Sequence, residues 1–314
     1  MDQPYSLDGA AGSEPAELAA ARRKATWKDF VYLAKPGILI SNMIAAFGGY
    51  WLAWGASGHG EFNLPLMIYA MLGTLLVMAS GCVLNNYLDR DLDMKMARTR
   101  KRALPAGVLE PKVVVWYGMV LGAAGLLLLY FGANPLSALL GAIGLFVYVV
   151  VYTAWLKRTS PLSTTIGAIS GAMPPVIGYC ALTNELDMGA WLLFGILFFW
   201  QPPHFWALGM RRKEEYRTAG FPLLPVVRGN EITKLHMMRF LVMLVPVSLL
   251  LYFYGYAGIF YLAVSIALGL GWIFLGLAGF RRQDDDEWAK KMFVYSINYL
   301  PVMFIVMIID NIPW

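Results

Sequence analysis

The sequence predicts an all-α, polytopic membrane protein of nine transmembrane helices, and three observations carry that prediction. The 314-residue chain is 59% hydrophobic and only 14% charged, where a soluble domain carries about a quarter charged residues. Its mean hydropathy is +0.57. Its charges are gathered in short segments between long charge-free runs. This balance excludes a soluble globular enzyme, a disordered chain and a nucleic-acid module, although the isoelectric point is near 9.1. Cys82 and Cys180 both lie in apolar stretches and offer neither a disulfide framework nor a CxxC metal spacing.

Residues 1–27 are polar, Ala-rich and acidic at Asp2, Asp8, Glu14 and Glu17. Signal peptides begin basic and transit peptides avoid acids, so this segment reads as a loosely ordered cytoplasmic tail ahead of a membrane domain over 28–314. Arg22, Arg23, Lys24 and Lys28 are expected at the lipid headgroups, where anionic lipid attracts them. The charge-free runs that follow are Pro36–Gly60, Phe62–Leu88, Val113–Leu156, Thr159–Asn184, Met188–Met210, Phe240–Phe280 and Met292–Ile309. A crossing needs roughly 20 apolar residues. The third and sixth runs are each long enough for two crossings, and each carries a turn signal near its middle. These signals are Ala133-Asn134-Pro135 and Gly255-Tyr256-Ala257-Gly258. Splitting both gives nine spans. With the N-terminus inside, the inside segments and adjoining span ends then hold all 25 Lys and Arg, and the outside segments hold only Glu61, Glu185, Asp187 and Asp310. So complete a partition follows the positive-inside rule and accounts for the basic isoelectric point by topology.

Two inside connections, roughly Asp89–Lys112 and Arg211–Lys234, are long and rich in polar residues. The first follows Asn85, Asp89 and Asp93, which stand at i, i+4 and i+8. On a helix these three oxygen donors share one face. Stacked carboxylates repel unless a cation lies between them, and hard oxygen ligands in pairs suit Mg²⁺ completed by substrate phosphates. Carboxylates at a membrane border are functional candidates by default. Lys95, Arg98, Arg100, Lys101 and Arg102 follow at once, so the same stretch reads either as salt-paired topology signals or as a metal–diphosphate clamp. The second connection also leaves a span with mixed charges and then passes through glycine and proline, as the first does at Pro105-Ala106-Gly107. That likeness of texture suggests an internal duplication with two polar mouths around one cavity.

The stripe Asn85-x-x-x-Asp89-x-x-x-Asp93 resembles the first aspartate-rich motif of the UbiA superfamily of intramembrane prenyltransferases. Five segments narrow the likeness to its haem-farnesylating branch. They are Asn86-Tyr87-Leu88-Asp89-Arg90-Asp91-Leu92-Asp93, Leu156-Lys157-Arg158-Thr159-Ser160-Pro161-Leu162, Gly171-Ala172-Met173-Pro174-Pro175-Val176-Ile177-Gly178-Tyr179, Pro203-His204-Phe205-Trp206-Ala207-Leu208 and Ala219-Gly220-Phe221-Pro222-Leu223-Leu224-Pro225-Val226-Val227. The resemblance covers roughly 30–310. It implies nine helices around a central cavity that opens to the membrane and to the cytoplasmic side of a bacterial inner membrane. It also implies transfer of a farnesyl group from farnesyl diphosphate to a vinyl group of haem b, with water added there. Mg²⁺ held by Asp89 and Asp93, with Asn85 assisting, is implied as well, and a haem A synthase or terminal oxidase is the implied partner. The sequence departs from the superfamily where a second DxxxD motif would stand, having Glu214-Glu215-Tyr216 instead, which leaves the ligands of a second metal open. Ala103 replaces a usual proline and Ser163 a common asparagine.

The chemistry so implied assigns further roles. Loss of an allylic diphosphate needs cations around the departing charge. Arg98, Arg102, Lys157 and Arg158 are the expected phosphate contacts, and guanidinium forks suit that work. Glu215 and Tyr216 are candidates for diphosphate binding through a cation, or for tuning a proton transfer, against the plainer reading of a solvated loop. His204, one of three histidines, is a candidate haem-iron ligand, against the commoner reading of a hydrogen-bonded packing histidine. An aromatic-acid or quinone-precursor prenyltransferase is the nearest rival. A transporter is the rival of another class, but it would carry polar residues at mid-membrane, and here they gather at one face.

Overall fold

Helices begin where proline or a capping side chain can start them, because backbone groups in hydrocarbon must be satisfied within the chain. A computed structural model describes residues 23–281 and 284–312. The expected N-terminal tail, Arg22 included, lies outside the described residues except for 23–27. A short helix, α1 (Trp27–Leu33), precedes α2 (Pro36–Ala56), which starts on a proline. α3 (Leu64–Leu88) is capped by the Asn63 side chain, which accepts from the Leu66 amide at 3.0 Å. A single turn, α4 (Arg90–Asp93), leads through a chain of turns to α5 (Pro111–Gly132). The next helix, α6 (Pro135–Thr159), begins α-helical, becomes a π-helix over Val147–Leu156 and ends at Thr159. A bent pair follows, α7 (Ser163–Gly171) and α8 (Met173–Thr183). α9 (Met188–Arg211), capped by Asp187, leads into the short α10 (Lys213–Ala219). The chain ends with α11 (Leu224–Phe253), α12 (Ile259–Ala278) and α13 (Asp285–Asp310).

Among the described residues all regular structure is helical, and eight helical stretches are long and apolar enough to cross a membrane. α9 is a further long helix of 24 residues in the same bundle, less apolar than the rest because Gln201-Pro202-Pro203-His204 interrupts it. Both long charge-free runs divide where their turn signals stand. Asn134 accepts from the Ser137 amide at 2.8 Å to restart the helix, and Gly255 takes a left-handed φ of 79° between α11 and α12.

Three boundaries differ from expectation. The connection Arg211–Lys234 is mostly helical, because α10 folds over the bundle end and α11 starts at Leu224, seamed by a non-helical Gly229 (φ 76°, ψ 177°). α13 begins at Asp285 instead of Met292, since Asp284 caps it by accepting from the Asp286 and Glu287 amides, each at 3.0 Å. The Asn85–Asp93 stripe spans a break after Leu88, yet the Asp89 amide still donates to the Asn85 carbonyl and the Asp93 amide to the Asp89 carbonyl, at 2.9 and 2.8 Å. The i, i+4 register therefore survives.

The core forms where α2, α8, α9, α11 and α13 pack together, α3 being paired with α5 beside them. Where α2 crosses α8 the backbones touch: a Cβ at Gly49 would lie 2.0 Å from the Pro175 carbonyl oxygen, and one at Gly178 would lie 2.0 Å from that of Ala46. Small residues at a helix crossing are what allow such approach in a membrane. Gly178→Leu is accordingly expected to force the helices apart, costing about 1–3 kcal/mol or more. In detergent it should lower the apparent Tm and broaden the size-exclusion peak, whereas Gly60→Ala, with nothing within 4 Å of the added methyl, should do neither.

Candidate functional site

Asn85, Asp89 and Asp93 are 3%, 2% and 3% exposed, and groups so buried must be hydrogen-bonded or paired. Asp89 Oδ2 accepts from Asn85 Nδ2 at 3.0 Å and from Lys157 Nζ at the end of α6. The Asn85 amide also donates to Thr153 Oγ1 at 3.0 Å, and its carbonyl accepts from Lys35 Nζ at 2.5 Å. The Thr153 hydroxyl in turn donates to the Tyr148 carbonyl at 2.7 Å, within the π-helical stretch Val147–Leu156. Asp93 Oδ2 accepts from Arg102 Nη1 at 2.6 Å. Arg102 also reaches Asn86 Oδ1 at 3.3 Å, and Asn86 ties the Leu33 and Cys82 carbonyls together. The result is a closed polar knot that joins the start of α2, the end of α3 and the end of α6.

Nothing in the sequence marks Lys35 as a site residue. It stands immediately before Pro36 in a left-handed conformation (φ 55°, ψ 66°), which turns its side chain back onto Asn85. Burial lowers its ammonium to about 8, because the charged form loses water. In sequence, a lysine at a span start looks like a topology signal. Nothing in its neighbours announces the inward turn.

Beside the knot lies a cavity of about 290 Å³. Lys157, Tyr216, Tyr152 and Tyr148 line its polar end. Val77, Gly141, Ile177 and Thr74 line its apolar end. The Tyr148 and Tyr152 rings are stacked 5.7 Å apart. Lys157 Nζ lies 4.9 Å from the Phe221 ring and 5.8 Å from that of Tyr152, so the cation is walled by aromatic faces. Phe221, Met96 and Ala219 form a small buried cluster with Leu92 and Tyr216 at its edge. The two inside connections thus pack on each other over the cavity. A second groove, of about 550 Å³, runs outside the bundle between α12 and α13. Its lining includes neither the buried carboxylates nor Lys157.

Of the expected site residues, Asn85, Asp89, Asp93, Arg102, Lys157 and Tyr216 are brought together. Arg158 is directed to Asp91 instead, through a two-pronged pair at 2.9 and 2.7 Å. That guanidinium lowers the Asp91 carboxyl to about 2. A depressed carboxylate loses its contribution only as pH falls toward that value, so this pair persists throughout the neutral range. Arg98 is exposed, and Glu215 lies 3.8 Å from Arg212 without lining the cavity. His204 faces α13, not the cavity, whose α9 side is made by Gln201, Phe205 and Leu208. Its ring is stacked between Trp200 and Phe293, with centroids 4.8 Å away on each side. Its Nδ1 lies 2.7 Å from Ser296 Oγ, and the Ser296 hydroxyl donates to the Phe293 carbonyl at 2.6 Å. Nδ1–H must therefore be the donor to Ser296, which leaves the lone pair on Nε2.

Among the described residues no group of three or more His, Cys, Asp or Glu stands ready for a metal. Mg²⁺ needs fewer, since one or two carboxylates suffice when substrate phosphates complete the shell. Asp89 meets that requirement, because its Oδ1 is buried without a partner while Oδ2 is fully engaged. A carboxylate oxygen left bare in a dry site is where a divalent ion fits.

Comparison with known proteins places this geometry in context. Residues 42–298 match the model of the UbiA prenyltransferase family. The chain is 52% identical over 310 residues to protoheme IX farnesyltransferase 1 of Bacillus subtilis (strain 168), covering 97% of this chain and 96% of that protein. Among solved structures it is similar to a digeranylgeranylglyceryl phosphate synthase, with a TM-score of 0.76 at 18% identity over 90% of this chain and 98% of that one. It is also similar to a UbiA homologue from Archaeoglobus fulgidus bound to GPP and Mg²⁺, with a TM-score of 0.60 at 16% identity over 89% and 99%.

The knot predicts a non-additive pair of substitutions. Lys157→Met strands the buried Asp89 charge and should cost about 3–5 kcal/mol of stability. Adding Asp89→Asn removes that charge and should restore most of the loss in a detergent melt. Strictly additive losses would show that the two groups do not depend on each other.

Proposed function

The chain belongs to the UbiA prenyltransferase family, and from that premise we infer an intramembrane enzyme that moves the farnesyl group of farnesyl diphosphate onto a vinyl group of haem b. Water adds at the vinyl group, giving haem O and diphosphate. The observation that carries the site assignment is the buried Asp89 carboxylate, bonded on one oxygen by Asn85 and Lys157 and bare on the other, at the polar end of an apolar cavity.

Asp89, with Asp93 and Asn85, is proposed to hold Mg²⁺, which when bound supplies positive charge beside the departing diphosphate. Solved UbiA homologues bound to GPP or DMAPP with Mg²⁺ support a metal in this fold. Lys157, Arg102 and Lys35 are the cations nearest that carboxylate face, and in this reading they turn from their present acceptors to phosphate oxygens. Arg158 and Arg98 stand further out, placed to meet the incoming diphosphate first. Tyr216 orients the phosphate end, with Glu215 behind it on α10. Farnesyl lies along the cavity, where the Tyr148 and Tyr152 faces stabilise the allylic cation, and the apolar wall keeps water away until carbon–carbon bonding is complete. For His204 the proposal is haem contact through Nε2. The enzyme is proposed to sit in the bacterial inner membrane with its N-terminus and cavity mouth cytoplasmic, since Lys and Arg gather at that end. It is proposed to pass haem O to a haem A synthase or a terminal oxidase.

Purified protein in lipid nanodiscs, given haem b, farnesyl diphosphate and Mg²⁺, should yield haem O by mass spectrometry. EDTA should stop it. Asp89→Asn should lower turnover at least a hundredfold with the elution profile kept. An aromatic acceptor prenylated in place of haem would overturn the acceptor assignment, and full activity of Asp89→Asn would overturn the metal site. His204→Ala should shift the absorption spectrum of bound haem; an identical spectrum makes that ring a packing group only.

A further inference from the structure

We propose that Thr74, Gly141 and Ile177 form a rigid floor that sets the prenyl chain at three isoprene units; this rests on the prenyl-diphosphate reading of the same cavity. These three residues come from α3, α6 and α8, and each is the deepest cavity-lining residue of its helix, measured from the polar end. Thr74 lies 15 residues before Asp89 on the α3 side, which at 1.5 Å per residue is about 22 Å of depth. Gly141 is 16 residues from Lys157, a path that the π-helical stretch Val147–Leu156 shortens below the about 24 Å of an α-helix. Ile177 is 13 residues from Thr164, the first cavity-lining residue of α7, which gives about 20 Å by the same rise. Two helices that run toward the polar end and one that runs away from it thus stop the cavity at similar depth. Below it Tyr50, Ala70 and Ala181 pack together at 0%, 0% and 3% exposure, leaving no continuation.

The depth matches one chain length. An extended chain advances about 1.2 Å per bond, so farnesyl, with roughly a dozen bonds along its main chain, reaches about 14 Å. Diphosphate with its cations takes up the remainder beside Asp89 and Lys157. One isoprene more adds about 5 Å by the same advance and meets Tyr50 and its neighbours. One isoprene fewer leaves the floor unfilled, and an unfilled apolar void forfeits its contacts. The floor cannot easily give way. Thr74 is β-branched, with few rotamers on a helix, and it is fully buried. A Cβ on Gly141 would already touch Leu129 at 3.0 Å.

The test is competition against farnesyl S-thiolodiphosphate, an analogue resistant to ionisation, on the full chain in nanodiscs with Mg²⁺ and without haem. Wild type should bind the farnesyl compound at least tenfold tighter than the geranyl or geranylgeranyl analogue. Ile177→Ala, which removes volume, should bring geranylgeranyl to within about threefold of farnesyl, and Thr74→Leu should move the preference to geranyl. If Thr74→Leu fails to fold, Ile177→Ala carries the test alone. Equal affinity for all three lengths in wild type, or an unchanged farnesyl preference in Ile177→Ala, overturns the floor while leaving the enzyme assignment standing. Absence of any Mg²⁺-dependent binding overturns the prenyl-diphosphate reading and the floor with it.

Discussion

A carboxylate buried at the edge of hydrocarbon cannot stand uncompensated, and most of what is unusual in this chain gathers around that constraint at Asp89. Isolated ionised groups are far too costly in such a place. The cations that answer it arrive from three directions. Lys157 comes from the end of α6, Lys35 comes through Asn85 from a left-handed turn before α2, and Arg102 answers the neighbouring Asp93 from the first connection. Such pairs add little net stability, because desolvation offsets attraction. Their use in the proposed reaction is readiness. The positive groups proposed to surround diphosphate are already oriented by their present acceptors, so little reorganisation remains when charge develops.

Enclosure follows from the same place. Two connections whose letters are mostly polar would be solvated loops if they ran free. Here Met96 and Leu92 from one meet Phe221, Ala219 and Tyr216 from the other, so each buries apolar surface against its counterpart. Their charged residues are left to face either the cavity or the exterior. Arg158 on Asp91 belongs to the outer group, Lys157 on Asp89 to the inner one, although the two cations are adjacent in sequence. That split separates roles which sequence alone had merged into one row of phosphate contacts.

What could be read from sequence was whatever depends on hydropathy and local turn chemistry. Long charge-free runs disclosed the spans, Asn134-Pro135 and Gly255 disclosed the hidden breaks, and i, i+4 spacing disclosed the Asn85–Asp89–Asp93 stripe. The sequence is silent where a residue's surroundings depend on a partner distant in the chain. Lys35 and Asn85 are 50 residues apart, and a lysine before a span says topology until the fold brings it back. His204 stands one residue from cavity-lining Phe205, about 100° around the helix, and that single step turns it to Ser296 on α13. The start of α11 was hidden because its first turns are charged, and hydropathy places a span end where the helix has no reason to stop.

The π-helix was the least legible feature, and it decides the site. Tyr148 and Lys157 are nine residues apart. At 3.6 residues per turn they would lie on opposite sides of α6, and no amphipathic reading would join them. A register that bonds each amide to the carbonyl five back widens the turn to roughly 4.4 residues. Nine residues then complete about two turns and return to the same face. Lys157, Tyr152 and Tyr148 accordingly line one cavity, with the Thr153 hydroxyl donating to the Tyr148 carbonyl and accepting from Asn85 across the gap. An ordinary α-helix over the same letters would turn Lys157 away from Asp89. The wide turn and the buried charge therefore meet at one place, since the π stretch presents the lysine to Asp89 and Asn85 bonds the Thr153 hydroxyl at the cavity wall.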